Sequence, residues 1–226
     1  HGDINDHIEF INGMPISSIR VNLKKGNIKN ITRFILFRPK ARNYDNEIFT
    51  STFLSEIGIL SPRTFKVKVK LHGVVSEFLF QENIKKEFLE FNNKVEGPII
   101  EPKEDLNKYN ILNLTRIANF EWIKEDNIKV IKSLNALARY NEILIANYAF
   151  RTNNFSDYIQ KFEFNNFSQN EIKKIGIYNS ILYALDATHG LAFNNRKFYF
   201  DPIYNELMPI YYDGNSRILS SIGYNY

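Results

Sequence analysis

A strict two-residue alternation from residue 64 to residue 71 restricts the fold of this 226-residue chain more than any other feature. The apolar side chains at alternate positions are Phe65, Val67, Val69 and Leu71, and lysines separate them. This period places the apolar side chains on one face of a β-strand and the charged ones on the other. A second β-like run, residues 74 to 80, follows almost at once, so the sequence predicts an antiparallel hairpin.

Shorter β-like runs precede this hairpin, at residues 8 to 11, 16 to 23 and 31 to 37. Residues 46 to 57 have the spacing of a helix, and Gly58 suits its C-terminal end. The apolar positions predict that the buried stripe of this helix is formed by Ile48, Phe49, Thr52, Phe53 and Ile57.

The second half of the sequence is expected to be richer in helices. Residues 85 to 91 predict a short helix, and residues 128 to 150 and 171 to 185 show the longer periodicity of amphipathic helices. Two apolar runs, residues 197 to 200 and 208 to 212, predict strands near the end of the chain. The order of these elements indicates an α+β fold whose antiparallel sheet comes first.

Composition narrows the classes of function. The chain has no cysteine, which rules out disulfides and thiolate zinc sites and favours a reducing, cytoplasmic compartment. Its net charge is only +4 and its lysines are scattered, whereas nucleic-acid binding calls for basic residues gathered on one face. No run is long and apolar enough to span a membrane, and no signal peptide is visible. We therefore expect neither a nucleic-acid partner nor a membrane span.

Residues 186 to 215 hold the densest group of side chains that can bind a metal or move a proton. Phosphoryl transfer needs a carboxylate that accepts the hydroxyl proton, and an amide with a second carboxylate to hold Mg²⁺. Asp186 is the candidate for the first carboxylate, and Asn194 or Asn195 for the amide. Asp213, directly after the second predicted strand, is the candidate for the second carboxylate. In the alternative interpretation these are ordinary turn residues.

A set of short motifs precedes this segment in the sequence, and we call this set the earlier block. It consists of Asn46-Glu47-Ile48 and residues 54 to 58 (LSEIG), 61 to 65 (SPRTF), 80 to 84 (FQENI) and 86 to 89 (KEFL). Together the two blocks resemble the spore-coat protein H (CotH) kinase family, an atypical branch of the protein-kinase-like fold. The resemblance covers roughly residues 31 to 215.

The resemblance implies a bilobal α+β domain. Residues 1 to 82 are expected to form an N-terminal lobe with an antiparallel sheet and one helix, and residues 83 to 226 a mainly helical C-terminal lobe. An ordinary kinase continues much further beyond its metal-binding acid, so this second lobe is interpreted as minimal or truncated. The first residue is not Met, which indicates a trimmed or excised piece.

The resemblance also implies an activity, namely Mg²⁺-dependent transfer of the ATP γ-phosphoryl group to a Ser or Thr hydroxyl of a protein substrate. Two alternatives stay open. The same fold can bind ATP in reverse and transfer AMP, and a catalytically inactive relative can act as a scaffold in a spore coat or at a cell surface. The absence of a glycine-rich loop and an arginine in place of the usual lysine favour the scaffold.

Site residues follow from the resemblance in three groups. Asp186 is expected to be the catalytic base, with His189 orienting its loop, and the metal ligands are expected to be Asp213 with Asn194 or Asn195. Arg38 or Arg42 would take the place of the kinase lysine, with Glu47 as its partner. The expected ATP-binding residues are Arg38, Arg42, Glu47, Glu82 and Arg196.

Overall fold

The structure is a computed structural model that describes residues 8–11, 13–71, 73–102, 115–120, 124, 126–151 and 167–221. Over these ranges the chain is α+β and all of its paired strands are antiparallel, as the sequence predicts.

The first half forms a hairpin and a four-stranded sheet. Strands β1 (Ile8–Ile11) and β2 (Met14–Ser17) pair with each other, and the sheet has the order β3-β4-β6-β5. Its strands are β3 (Ile19–Asn22), β4 (Arg33–Phe37), β5 (Thr64–Leu71) and β6 (Val74–Glu82). The predicted hairpin is β5–β6, paired along its whole length. Aromatic side chains fill the core, and the ring of Phe80 stacks on Phe34 at 4.3 Å and on Phe65 at 4.5 Å between centroids.

Helix α1 (Asp45–Glu56) lies close to the predicted bounds but buries the opposite face. The side chains of Phe49, Phe53 and Ile57 are 41%, 37% and 46% exposed, so the prediction that this apolar stripe is buried was wrong. The buried residues are Asn46, Glu47, Thr50, Ser51 and Leu54. A polar face can be buried when its groups find hydrogen-bond partners, and distant segments of this chain supply them for Asn46 and Glu47.

The second half combines helices with a second sheet of order β10-β9-β7-β8. Its strands are β7 (Ile99–Pro102), β8 (Thr115–Ile117), β9 (Lys197–Asp201) and β10 (Glu206–Ile210). Its helices are α2 (Lys86–Phe91), α3 (Asn127–Arg151), α4 (Gln169–Ala184) and α5 (Ile218–Ser221). The expectation of a mainly helical C-terminal half was therefore wrong, because a four-stranded sheet stands beside the helices.

A capping box fixes the start of α4. The Ser168 hydroxyl accepts from the Glu171 N–H at 3.1 Å, and the Glu171 carboxylate accepts from the Ser168 N–H at 2.8 Å. Glu171 also accepts from the Leu207 N–H at 2.7 Å, which ties the helix to β10. The loop that begins at Asp186 follows the C-terminal end of α4 and lies next to the end of β10.

The two halves meet where β10 ends. Leu60, in the segment between α1 and β5, forms a parallel bridge with Ile210, and its carbonyl accepts from the Tyr211 N–H at 2.8 Å. Tyr211 is fully buried and shares an apolar cluster with Leu54 of α1. The residues that follow β10 are thus held against the first half of the chain.

Candidate functional site

Close backbone contact joins the two loops that the sequence singles out. A Cβ atom at Gly214 would lie 2.6 Å from the Tyr211 ring and 3.1 Å from the Ala187 Cβ. A Cβ atom at Gly190 would lie 3.3 Å from the Gly214 Cα. A Cβ atom would clash at Gly214 and be tightly packed at Gly190, so the loop after α4 and the turn after β10 pack directly on each other.

Arg42 reaches Asp213 from the first half of the chain. It lies in the 3₁₀ turn Pro39–Arg42, between β4 and α1, and forms an ion pair with the Asp213 carboxylate. Its Nη2 donates to the Tyr212 hydroxyl at 3.1 Å, and its guanidinium lies 4.1 Å from the centre of the Phe37 ring. Burial acts to raise the pKa of Asp213, but the hydrogen bond with His189 and the charge of Arg42 hold it below its ordinary value.

His189 and Asn195 complete this cluster. The His189 Nδ1 donates to the Asp213 carbonyl at 2.9 Å and lies 3.7 Å from the Asp213 Oδ1. The Asn195 Nδ2 donates to the His189 carbonyl at 3.0 Å. Hydrogen bonding and the charge of Asp213 raise the pKa of His189 despite partial burial. We refer to Arg42, His189, Asn195 and Asp213 as the acid cluster.

Asp186 and Asn194 make none of the contacts given above for the acid cluster. Both are exposed, and Asp186 has a positive φ of 48° directly after α4. Its neighbour Ala187 is the residue that contacts Gly214, so the backbones that carry Asp186 and Asp213 run close together. Of the two candidate amides, Asn195 is the one that hydrogen-bonds within the cluster.

Glu47 lies on the buried face of α1 and has a partner on each carboxylate oxygen. Its Oε1 accepts from the Gln81 Nε2 at 2.8 Å, and its Oε2 accepts from the Tyr211 hydroxyl at 2.7 Å. Burial raises the pKa of Glu47, and the charge of Arg42 and the hydrogen bond from Tyr211 oppose that rise. Of the two predicted arginines, Arg42 is the one whose charge acts on Glu47.

The raised pKa of Glu47 makes stability depend on pH in a definite direction. The neutral acid contributes stability that is present below its ordinary pKa of 4.5 and is lost as pH rises through the raised value. Glu47→Gln cannot ionise, so the unfolding free energy of this variant should fall less as pH rises above 4.5 than that of the wild type. Urea titrations across this range measure the difference. Glu77→Gln, on the exposed face of β6, is the control, and equal slopes for both variants would contradict the prediction.

Arg38 and Arg196 make their described contacts elsewhere. Arg38 pairs with Glu9 and donates to the Glu77 carbonyl at 2.9 Å. Arg196 is buried and its Nη2 donates to the Asn179 Oδ1 of α4 at 2.9 Å. Neither contact places these arginines in the acid cluster.

Glu82 is held by the arginine of the Ser-Pro-Arg sequence. The Arg63 Nε and Nη2 donate to its two carboxylate oxygens at 2.9 and 2.5 Å, and the Arg63 N–H donates at 3.3 Å. The Glu82 side chain is 1% exposed. This forked pair fixes the end of β6 to the start of β5, next to the connection between the two halves.

Sequence reasoning missed Tyr211 and Gln81, which hold Glu47. A signal was present for Gln81, because it is an amide at the end of the apolar run of β6, where burial requires a polar partner. Tyr211 carried no comparable signal, because tyrosine is abundant in the chain and suits an apolar strand equally well.

The described residues can also be compared with metal sites, membrane-spanning helices and known proteins. Within the described ranges, no three His, Cys, Asp or Glu side chains gather as they would around a metal ion. The helices in those ranges are too short or too polar to cross a membrane. No protein-family model matches the chain, and no curated protein matches it.

Proposed function

We propose that this chain is an atypical kinase that transfers the γ-phosphoryl group of ATP to a Ser or Thr hydroxyl of a protein substrate. The observation that carries the proposal is the acid cluster, in which an arginine from the first half meets Asp213 and the loop after α4. Phosphoryl transfer depends on positioning and charge more than on covalent chemistry by the protein, and this cluster supplies both signs of charge at one place.

The donor set fits Mg²⁺ held jointly with nucleotide phosphates. Mg²⁺ in such sites uses one or two carboxylates, and phosphate oxygens and water fill its other positions. Asp213 would supply a carboxylate and Asn195 an amide, from loops that pack on each other. The bound ion would neutralise charge on the phosphates.

The residues of the chain have distinct roles in this proposal. Arg42 supplies a forked cation on the phosphate side, where it would exchange part of its pairing with Asp213 for phosphate oxygens. His189 and Asn195 hold the Asp213 turn in place. Asp186 accepts the proton of the acceptor hydroxyl, and its exposure gives a macromolecular substrate access to it.

Two measurements test the proposal. ATP should stabilise the protein against heat, and Mg²⁺ should increase that stabilisation. ATP labelled at the γ-phosphate should then label serine and threonine peptides. Label transferred from the α-phosphate instead would establish AMP transfer and overturn the kinase proposal.

A second candidate is a catalytically inactive scaffold of the same fold. It is favoured because the Asp213 carboxylate already has a cationic partner in Arg42, and because Phe49, Phe53 and Ile57 leave an apolar stripe on the surface of α1. If neither phosphate label reaches an acceptor and Asp213→Ala leaves ATP affinity unchanged, the scaffold is the better conclusion.

A further inference from the structure

A second charged cluster lies beside Tyr212, and the proposed transfer reaction does not use it. Its members come from both halves of the chain, and two of them share the carboxylate of Glu101 on β7. We refer to it as the basic cluster. Its cations are Arg33 at the start of β4, Lys85 just before α2, Arg116 on β8 and Lys197 at the start of β9.

Two of these cations bind Glu101 directly. The Lys197 Nζ donates to its Oε2 at 2.5 Å, and the Arg116 Nε donates to its Oε1 at 3.0 Å. Burial acts to raise the pKa of Glu101, but Lys197 and Arg116 hold it below its ordinary value, so the acid is ionised. Lys197 also lies 4.4 Å from the centre of the Tyr212 ring, one residue from Asp213. The basic cluster is therefore adjacent to the acid cluster.

Positive charge exceeds negative charge around Glu101. The Lys85 ammonium donates to the Ala118 carbonyl, a neutral partner. Burial lowers the pKa of Lys85, and the charges of Arg33, Lys197 and Arg116 lower it further, against the opposing effect of Glu101. An additional anion that binds among cations that repel one another in this way is stabilised by all of them.

Arg33 extends the basic cluster toward solvent. Alternation along β4 places it on the same face as Phe37, which contacts Arg42, and opposite Phe34 and its aromatic core. Arg33 is exposed, and no carboxylate of the described residues lies within ion-pair distance of it. The Arg116 side chain is 52% exposed. Both arginine side chains are thus accessible to a macromolecular ligand.

We propose that the basic cluster binds an acidic segment of the acceptor protein, one that carries carboxylates or phosphate groups near the acceptor hydroxyl. This inference rests on the proposed function and adds the chemical class of the substrate. Forked arginine donors match carboxylate and phosphate oxygens geometrically. Arg33 has no carboxylate partner among the described residues, whereas Arg116 would share its donors between Glu101 and the ligand. Its position next to Tyr212 places the acidic segment within reach of Asp213.

Peptide binding in the absence of nucleotide tests this site directly. The probes are three fluorescein-labelled peptides, each with one serine, flanked by aspartates, by phosphoserines or by asparagines. Fluorescence anisotropy should show preference for the charged peptides, and added salt should weaken it. Whether the aspartate or the phosphoserine peptide binds better tells which anion the site takes.

Variants then locate the site. Arg33→Gln and Arg116→Gln should each weaken binding of a charged peptide roughly threefold to tenfold, because each removes one exposed charge contact. Neither change should disturb the fold, since Arg33 is exposed and Lys197 still pairs with Glu101 in the second variant. The matched control is Lys70→Gln on β5, which removes one exposed charge elsewhere and should leave affinity unchanged.

Three outcomes would overturn the inference. They are equal binding of the neutral peptide, an equal loss with Lys70→Gln, and weaker binding of ATP rather than of peptide in the two arginine variants. The last would assign the basic cluster to the nucleotide. Failure of phosphate labelling with intact peptide preference would instead remove the proposed kinase function and keep the acidic-segment site.

Discussion

Asp213→Asn should lower kcat/KM for phosphoryl transfer by about 10³-fold, because one substitution removes the central charge of the acid cluster. Asparagine keeps the size of the side chain but neither pairs with Arg42 as an anion nor supplies a carboxylate for Mg²⁺. Initial rates with γ-labelled ATP and a serine peptide measure the effect. Mg²⁺ should also lose most of its influence on ATP-induced thermal stabilisation.

Stability must be separated from catalysis in this experiment. Arg42 is buried and would lose its ionic partner, and breaking such a pair costs about 3 kcal/mol of unfolding free energy. The matched control is Asp201→Asn at the end of β9, where the Asp201 Oδ1 accepts from the Ile203 N–H at 2.9 Å. An asparagine there can still accept this bond, so the control should transfer phosphate normally. Normal transfer by a folded Asp213→Asn protein would contradict the assigned role.

Periodicity predicted most of the secondary structure but not which face of α1 is buried. The β5–β6 hairpin and the two long helices have periods that local sequence alone determines. For α1 the apolar pattern was misleading, because Tyr211 and Gln81 make burial of Glu47 favourable from far along the chain. The apolar pattern of residues 46 to 57 contains no information about those partners.

The site residues that lie close together in the sequence were predictable. The arginine that reaches them from the first half of the chain was not, because its contact depends on how the chain folds. His189, Asn195 and Asp213 lie in one short stretch, and the structure brings them together. The choice between Arg38 and Arg42 depends on the 3₁₀ turn that separates them, which directs only Arg42 toward Asp213. Strands as short as β7 and β8 have too few residues for a period to be recognised.

Arg63→Met should lower the unfolding free energy by about 3–5 kcal/mol, because it leaves the Glu82 carboxylate buried without its cation. Among the described residues, that carboxylate receives two hydrogen bonds from the Arg63 side chain, which the variant loses, and one from the Arg63 N–H, which it keeps. Methionine preserves some apolar contact with Phe91, whose ring centre lies 4.3 Å from the guanidinium, so lost charge pairing should dominate the change. For a chain of this length the melting temperature should fall by roughly 10 °C.

A double variant distinguishes a buried pair from a nucleotide-binding acid at residue 82. Arg63→Met with Glu82→Leu removes both charges, and most of the lost stability should return because no uncompensated ion is left in the interior. The matched single control is Arg116→Met. Its carboxylate partner Glu101 keeps Lys197, so this variant should lose less than about 1 kcal/mol of unfolding free energy.

If the double variant folds and ATP still stabilises it as in the wild type, Glu82 serves the connection between the halves and not the nucleotide. If ATP-induced stabilisation is lost while the fold is intact, the predicted role of Glu82 in ATP binding holds, and Arg63 positions that acid.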